Sequence, residues 1–170
     1  MAIFFIADTH FGEDDIRRYE NRPWPTPRDM DTGMIRRWNS ECSQDDEIYV
    51  CGDFGDPELV PSMLAQLNGI KYLVKGNHDT QSNEFYRKAG FAEVYDHPII
   101  LDNFWILSHE PLYTNTNMPY ANIFGHVHAA PYVKDYSPQH CCVSVERIGY
   151  QPIPFETIKC LVRNAHNSQD

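Results

Sequence analysis

Short apolar runs alternate with longer mixed stretches along the first half of the chain. Three of these runs, AIFFIA, EIYVCG and KYLVKG, have the length of a strand and are rich in aromatic and β-branched residues. Runs that are apolar on both faces are typical of strands covered on both sides of a sheet. Each run ends abruptly in glycine, aspartate, asparagine or histidine. A turn explains glycine and asparagine, but it does not require the histidines and aspartates that accompany them.

The mixed stretches between these runs predict helices. Residues 29–43 carry apolar side chains four positions apart, at Met30, Met34, Trp38 and Cys42. This spacing forms one apolar stripe for packing on a sheet. A helix over residues 57–67 is indicated by Pro57 near its start and by a glycine just after its end. Alternating strands and helices predict a parallel sheet with right-handed crossovers.

After residue 91 the pattern changes to shorter strands, HPIIL, NFWILS, NIFGHV and CCVSV. These strands predict a second, more antiparallel sheet, with Asp102-Asn103 as a hairpin turn. The length of 170 residues predicts a single domain with its own core over residues 1–163. Residues 164–170 are expected to form a disordered tail.

Composition and charge bear on nucleic-acid binding, membrane insertion and cellular location. The formal net charge is −10, and an acidic surface repels a polyanion, so binding to extended duplex nucleic acid is not expected. The apolar run at the N-terminus stops at Asp8 and is too short for a signal peptide or a membrane span. Five cysteines without a CxxC pair favour reduced thiols and a cytoplasmic location.

Polar residues suited to metal binding or proton transfer collect at the ends of the predicted strands. They are Asp8, His10, Asp53, Asn77, His78, Asp79, His109, His126 and His128. Ligands of open α/β sheets bind beyond the carboxyl ends of the strands, so these side chains are expected to meet at one rim. Turn or cap chemistry explains one such residue, whereas a converging set predicts a shared site.

A pair of divalent cations fits this set. Two such ions about 3.5–4 Å apart repel each other unless an anion bridges them, and Asp53 stands near the middle of the set. Because histidine and asparagine are neutral ligands, the site would keep a positive charge that attracts a phosphate ester. Mixed imidazole and oxygen ligands suit Mn, Fe, Zn, Co or Ni better than Ca or Mg.

The ordered set resembles the calcineurin-like metallophosphoesterase superfamily, whose pattern is Asp-x-His, Gly-Asp, Gly-Asn-His-Asp, a single His and Gly-His-x-His. The chain has all five blocks in that order, at Asp8-Thr9-His10, Gly52-Asp53, Gly76-Asn77-His78-Asp79, His109 and Gly125-His126-Val127-His128. The resemblance implies an α/β fold, a four-layer αββα sandwich in which two mixed sheets pack face to face between flanking helices.

The resemblance also implies a role for each matching residue. One divalent cation would be held by Asp8, His10, Asp53 and His128, and the other by Asp53, Asn77, His109 and His126. Mn²⁺ is the expected metal, with Fe, Zn, Co and Ni as alternatives. His78 is expected to protonate the leaving oxygen or to bind the phosphate, with Asp79 positioning its imidazole.

Departures from the family pattern narrow the substrate class. Members that dephosphorylate proteins carry Asp-Arg-Gly shortly after Gly-Asp and an arginine just before Gly-Asn-His. This chain has GDFGDPEL and Lys75 at those places, so it looks more like the small bacterial or phage phosphodiesterases. Arg22 is a candidate for a contact with the substrate phosphate through its forked donors, and a solvated surface arginine is the alternative.

The predicted function is hydrolysis of phosphodiester bonds, with phosphomonoesters as the second choice, by a hydroxide that bridges the two metals. The substrate would be a small phosphate ester, including those derived from nucleotides. A non-catalytic scaffold on the same fold is one alternative, although such proteins usually lose ligands and none is missing here. A metallohydrolase of amide or lactone bonds is another, and it would need an acyl-binding pocket.

Overall fold

The computed structural model describes residues 1–112, 114, 118–130 and 139–167, with side chains as far as residue 164. The first sheet contains β1 (Ile3–Ile6), β2 (Glu47–Val50), β3 (Ile70–Val74), β4 (Glu93–Tyr95) and β9 (Ile153–Pro154). The second sheet contains β5 (Ile99–Leu101), β6 (Trp105–Leu107), β7 (Ala121–Phe124) and β8 (His140–Cys142). The helices are α1 (Asp14–Tyr19), α2 (Pro27–Glu41), α3 (Val60–Leu64), α4 (Asn83–Ala89) and α5 (Phe155–Asn167).

The first sheet has the strand order β4-β3-β2-β1-β9. Its first four strands are parallel, as the alternation of strands and helices predicts, and β9 is antiparallel to β1. The predicted helix over residues 29–43 is α2, which begins earlier because the Thr26 hydroxyl caps it by accepting from the Asp29 backbone N–H at 3.1 Å. The predicted helix over residues 57–67 is confined to α3.

Two apolar layers cover the two faces of the first sheet. Along β1, Phe4 and Ile6 face the core that includes helix α2, whereas Phe5 packs in a second core with Leu107 of the other sheet. This alternation explains why the strand is apolar at every position, since successive side chains point to opposite faces. The prediction of a sheet covered on both sides is confirmed.

The second sheet differs from its prediction in strand direction. Its order is β5-β6-β7-β8, and only the β5–β6 pair is antiparallel; β6–β7 and β7–β8 are parallel. The predicted hairpin turn is confirmed, because Asp102 and Asn103 have φ angles of 51° and 55° between β5 and β6. The strands were too short to show from sequence how the later connections cross over.

The predicted fold class is confirmed, with two mixed sheets of five and four strands and flanking helices. Helix α5 contributes Phe155, Ile158 and Val162 to the core between the sheets. It continues to Asn167, four residues beyond the predicted end of the domain, and residues 168–170 lie outside the described part of the chain. None of the described helices has both the length and the apolar character needed to cross a bilayer.

Candidate metal centre

The loops that follow β1 and β2 hold the first candidate ligands in place through backbone hydrogen bonds. The N–H of Asp8 donates to the carbonyl of Gly52 at 3.0 Å, and the N–H of His10 donates to the carbonyl of Asp53 at 3.1 Å. Parallel neighbours end at the same edge, so the two loops run side by side. The residues that follow these two strands, which are distant in sequence but adjacent in the sheet, therefore converge as predicted.

Backbone strain concentrates at the candidate ligands. Five of them have left-handed backbone angles, with φ of 59° at Asp8, 47° at His10, 54° at Asp53, 69° at His126 and 46° at His128. Such angles are uncommon for residues other than glycine and cost about 1–3 kcal/mol each. Strain of this kind persists only where the surrounding structure enforces it, and it clusters at functional sites.

The first group of candidate ligands is Asp8, His10 and His128, whose ligand atoms lie within 4.8 Å of one another. The rings of His10 and His128 are stacked with centroids 5.3 Å apart. Nε2 of His10 is buried and has no hydrogen-bond partner among the described residues. A buried imidazole nitrogen without a partner beside a carboxylate fits a divalent cation, which would satisfy both.

The second group is Asn77, His109 and His126. The Asn77 Oδ1 atom lies 3.0 Å from His109 Nε2 and 3.1 Å from His126 Nδ1, and these two nitrogens lie 3.1 Å apart. One amide oxygen and two imidazole nitrogens therefore point at a common place. The donor set fits a transition metal ion better than a hard, all-oxygen cation site.

Asp53 lies between the two groups. Its Oδ2 atom is 3.2 Å from His109 Nε2 and 3.7 Å from His10 Nε2. Its other oxygen, Oδ1, accepts a hydrogen bond from the backbone N–H of His78 at 2.9 Å, which fixes the carboxylate plane. The side chain is positioned to contact a cation in each group.

The buried charges at this rim depend on one another. Burial opposes ionisation of Asp53, but the hydrogen bond and positive charge of His109 outweigh it and hold the pKa of Asp53 below its usual range. Burial likewise disfavours the charged form of His109, yet Asp53 and Asp8 raise the pKa of that imidazole to about 9. Burial raises the pKa of Asp8 in spite of the nearby histidines. Cations would supply the positive charge that these carboxylates lack.

Two motif glycines are required because ligand side chains pack on their backbone. A Cβ atom at Gly76 would lie 2.2 Å from Oδ1 of Asp53, and one at Gly125 would lie 2.7 Å from Oδ2 of Asp8. Neither oxygen can move without leaving the rim. The glycines in the Gly-Asn-His-Asp and Gly-His-x-His blocks therefore make room for the carboxylates of other blocks.

His78 lies at the open side of the centre. Its ring is 48% exposed and packs edge-on against the His10 ring, with centroids 5.1 Å apart. The predicted pairing with Asp79 is wrong, because the Asp79 carboxylate is buried and accepts backbone hydrogen bonds from Asp53, Phe54 and Gly76. Asp79 thus shapes the loops that carry Asp53.

Glu13 is a site residue that the sequence analysis missed. Its Oε2 atom lies 3.0 Å from Nδ1 of His10 and 4.0 Å from Nδ1 of His78. Its position three residues after His10 is the one signal in the sequence that could have indicated it. It replaces Asp79 as the acidic group nearest the ring of His78.

Arg22 does not lie where a substrate could reach it, which corrects the prediction of a phosphate contact. Its side chain is fully buried and its guanidinium donates to the carbonyls of Asp8 and Thr9 at 2.6 and 2.7 Å. It also pairs with Glu146, a second residue that the sequence analysis missed. Nothing in the spacing of Arg22 and Glu146, 124 residues apart, indicates that they meet.

The comparisons with known proteins agree with this geometry. The family model of the calcineurin-like phosphoesterase superfamily domain matches residues 1–144, and the chain therefore belongs to that superfamily. The uncharacterized protein MJ1445 of Methanocaldococcus jannaschii is 30% identical over 170 residues, which span 94% of this chain and 90% of that protein. The crystal structure of the protein of unknown function AQ665 from Aquifex aeolicus superposes with a TM-score of 0.71 at 26% identity, covering 94% of this chain and 98% of that one.

Membership of this superfamily indicates metal-dependent hydrolysis of phosphoesters, and the described His and Asp groups could hold metal ions. All seven predicted metal-binding residues lie in the two groups or on the bridge between them. The individual ligand assignments remain predictions from the motif.

Proposed function

We propose that the protein is a phosphodiesterase that uses two divalent cations. The observation that carries this proposal is the position of the Asp53 Oδ2 atom, within 3.2–3.7 Å of imidazole nitrogens from both ligand groups. One buried carboxylate shared by two ligand groups is the arrangement that allows two cations to lie close together. Mn²⁺ is the metal that we expect, with Fe, Zn, Co and Ni as alternatives for the same donor set.

The cations, when bound, would neutralise charge on the phosphoryl oxygens and lower the pKa of the attacking water. The protein's own contribution is to hold the ligands in strained backbone conformations before the substrate arrives. Preorganised groups of this kind lower the barrier because they need not rearrange during the reaction.

His78 is proposed to donate a proton to the departing oxygen. Its exposed ring lies beside His10 on the open side, while its backbone is tied to Asp53. Imidazole is the side chain that most often serves as a general acid in catalysis. The carboxylate of Glu13 lies 4.0 Å from Nδ1 of this ring.

A cleft of about 320 Å³ next to the second ligand group is proposed to take the organic part of the substrate. Its lining includes Asn77 and His109 of the second ligand group together with Lys75, Asp96 and His97. This volume suits a small organic group such as a nucleoside, and it lies in the usual range for ligand pockets. Extended duplex nucleic acid and membranes are not proposed as partners, and a cytoplasmic location remains a prediction.

The proposal is tested with a chromogenic bis-aryl phosphate in the presence of each candidate metal. We expect turnover that depends on added Mn²⁺ and exceeds the turnover of the matching monoester. Stoichiometric binding of cations with no turnover of any phosphate would support the scaffold alternative instead. Hydrolysis of aryl carboxylic esters or lactones without hydrolysis of phosphates would support the acyl hydrolase.

The natural substrate class is narrowed by a panel of cyclic nucleotides, dinucleotides and nucleoside monophosphates assayed under the same conditions. The proposed cleft predicts that diesters with a nucleoside-sized group have a lower KM than simple alkyl diesters. Equal KM values across the panel would show that the cleft contributes no binding.

A further inference from the structure

Arg22 and Glu146 form a buried ion pair next to the first ligand group, and neither residue is one of the predicted cation ligands. The guanidinium of Arg22 is 2.7 Å from Oε1 of Glu146 through one nitrogen and 2.9 Å through another. The Arg22 side chain is fully buried and the Glu146 side chain is 4% exposed. Burying two charges is costly and is stabilising only when the geometry is good and other hydrogen bonds are made.

Arg22 links the two chain segments that flank the first ligand group. Besides Glu146, it donates to the carbonyls of Asp8 and Thr9, on the strained loop that carries Asp8 and His10. Its planar, forked donors can contact the loop and the carboxylate at once, which a lysine ammonium cannot reproduce. The pair therefore connects the loop after β1 with the segment that follows β8.

The second oxygen of Glu146 faces His128. Oε2 of Glu146 lies 3.2 Å from Nδ1 of His128, and neither buried atom has a hydrogen-bond partner among the described residues. Because Nδ1 faces the carboxylate, Nε2 is the nitrogen left to face Asp8 and His10. Carboxylates commonly orient metal-binding histidines in this way and select the tautomer that can coordinate.

We propose that Glu146, held in place by Arg22, is a positioning residue that directs Nε2 of His128 into the first cation site. The inference rests on the proposed function, since it takes Asp8, His10 and His128 as cation ligands. It assigns Arg22 to the support of this site in place of the substrate contact that the sequence suggested. Glu146 acts through His128 and does not itself touch the substrate.

The test is Glu146→Gln, with Glu20→Gln as a matched control. Both changes remove one negative charge near His128, since Glu20 also has a carboxylate oxygen within 4.8 Å of the His128 and Glu146 ligand atoms. Only Glu146 has a direct contact with Nδ1. We expect E146Q to weaken one of the two bound cations about 10–100-fold, and E20Q to change its affinity by less than about 3-fold.

Cation affinity is measured by competition with a chelator followed by elemental analysis, without reference to activity. The turnover of E146Q is expected to fall in kcat with little change in KM at limiting metal and to recover when Mn²⁺ is raised. An equal loss in E146Q and E20Q, or wild-type affinity in E146Q, would overturn the proposal. If the wild-type protein binds no cation or hydrolyses no phosphate ester, the proposed function fails first.

A second measurement keeps the proposal testable if E146Q does not fold. In the wild-type protein loaded with Zn²⁺, nitrogen-15 spectra should show a protonated Nδ1 and a metal-shifted Nε2 on His128. The opposite pattern on the two nitrogens would contradict the assigned role of Glu146. Arg22→Lys provides an independent variant, which is expected to weaken the same cation and no other.

Discussion

The two ends of the first sheet both carry buried aspartates, and the pKa of Asp46 at the amino end shifts in the opposite direction to that of Asp8 at the carboxyl end. At the amino end, Asp46 accepts from the N–H of Ala2 at 2.7 Å and from the N–H and hydroxyl of Ser43 at 2.8 Å. The hydrogen bonds from Ala2 and Ser43 lower the pKa of Asp46 to about 2. At the carboxyl end, burial raises the pKa of Asp8, and left-handed angles strain the backbone of both Asp8 and Asp53.

This difference separates stability from function within one sheet. The carboxylate at the amino end is satisfied by the protein itself, so it stabilises the fold at neutral pH. The carboxylates at the other end are held in a costly arrangement that cations can complete. Locally unfavourable arrangements of this kind are common at active sites, and the rest of the structure supplies the stability that they cost.

The largest expected effect is that of Asp53→Asn. An amide cannot supply the negative charge that two adjacent cations require, so we expect both to be lost and turnover to fall by about 10³-fold or more. Elemental analysis after desalting measures the loss. Asp102→Asn, an exposed turn position with a similar φ, is the control and should keep both cations. Two ions per chain in D53N would refute the bridging role.

The next largest effect is the loss of kcat expected for His78→Ala, which removes the proposed proton donor to the departing oxygen. Loss of a positioned proton donor costs about 10²–10⁴-fold for leaving groups that need protonation, and much less for a nitrophenolate. We therefore expect kcat to fall in proportion to the basicity of the leaving group while the metal content stays unchanged. A uniform decrease across leaving groups would assign His78 to phosphate binding, and lost metal would remove it from both roles.

The second ligand group is also expected to release its cation before the first group does. The first group has Glu13 behind His10 and Glu146 behind His128, whereas His109 in the second group is backed by the neutral carbonyl of Cys51 at 3.0 Å. Outer carboxylates raise the basicity of the ligands they contact. We expect about 10-fold tighter binding in the first group, measured by stepwise chelator titration.

Assigning the released ion needs a variant that lacks one group only. His126→Gly removes a second-group ligand and should retain the tighter of the two cations. If the weaker cation is the one that remains in H126G, the predicted order is reversed.

A smaller effect is expected on the stability of the metal-free protein. His126 has a φ of 69°, and glycine adopts this angle without the steric cost that a side chain brings. We expect metal-free H126G to gain about 1 kcal/mol in its free energy of unfolding, as measured by urea titration. His97→Gly, at an exposed position without a left-handed angle, should lose stability instead. A loss in both variants would show that the angle at His126 is not strained.

The smallest effect concerns the amino end of the sheet. The folded pKa of Asp46 lies below the ordinary value of 3.8, so its contribution to stability is present above about pH 4 and lost as the pH falls toward 2. Asp46→Asn should lower Tm at pH 7 by about 2–4 °C and have a much smaller effect near pH 2. Cation binding and turnover should match the wild type. A change in metal content would show that Asp46 also affects the cation site at the carboxyl end of the sheet, contrary to the prediction.

Much of the centre could be predicted because its parts lie at strand ends. Parallel neighbours end at one edge, so residues that follow β1, β2 and β3 must converge whatever the loops between them do. The pairing of His78 with Asp79 failed for a local reason. Three backbone N–H groups need an acceptor where the loops meet, and the buried Asp79 carboxylate supplies it.

The order of the motifs along the chain was enough to determine the superfamily, the fold class and the set of candidate ligands. These depend on local chemistry repeated at the ends of successive strands, which a linear pattern records. Only the tertiary structure decided the direction of the strands in the second sheet, the burial of Arg22 and its contact with Glu146. Those features depend on which distant segments pack together, and neither residue has a spacing or neighbour in sequence that encodes its partner.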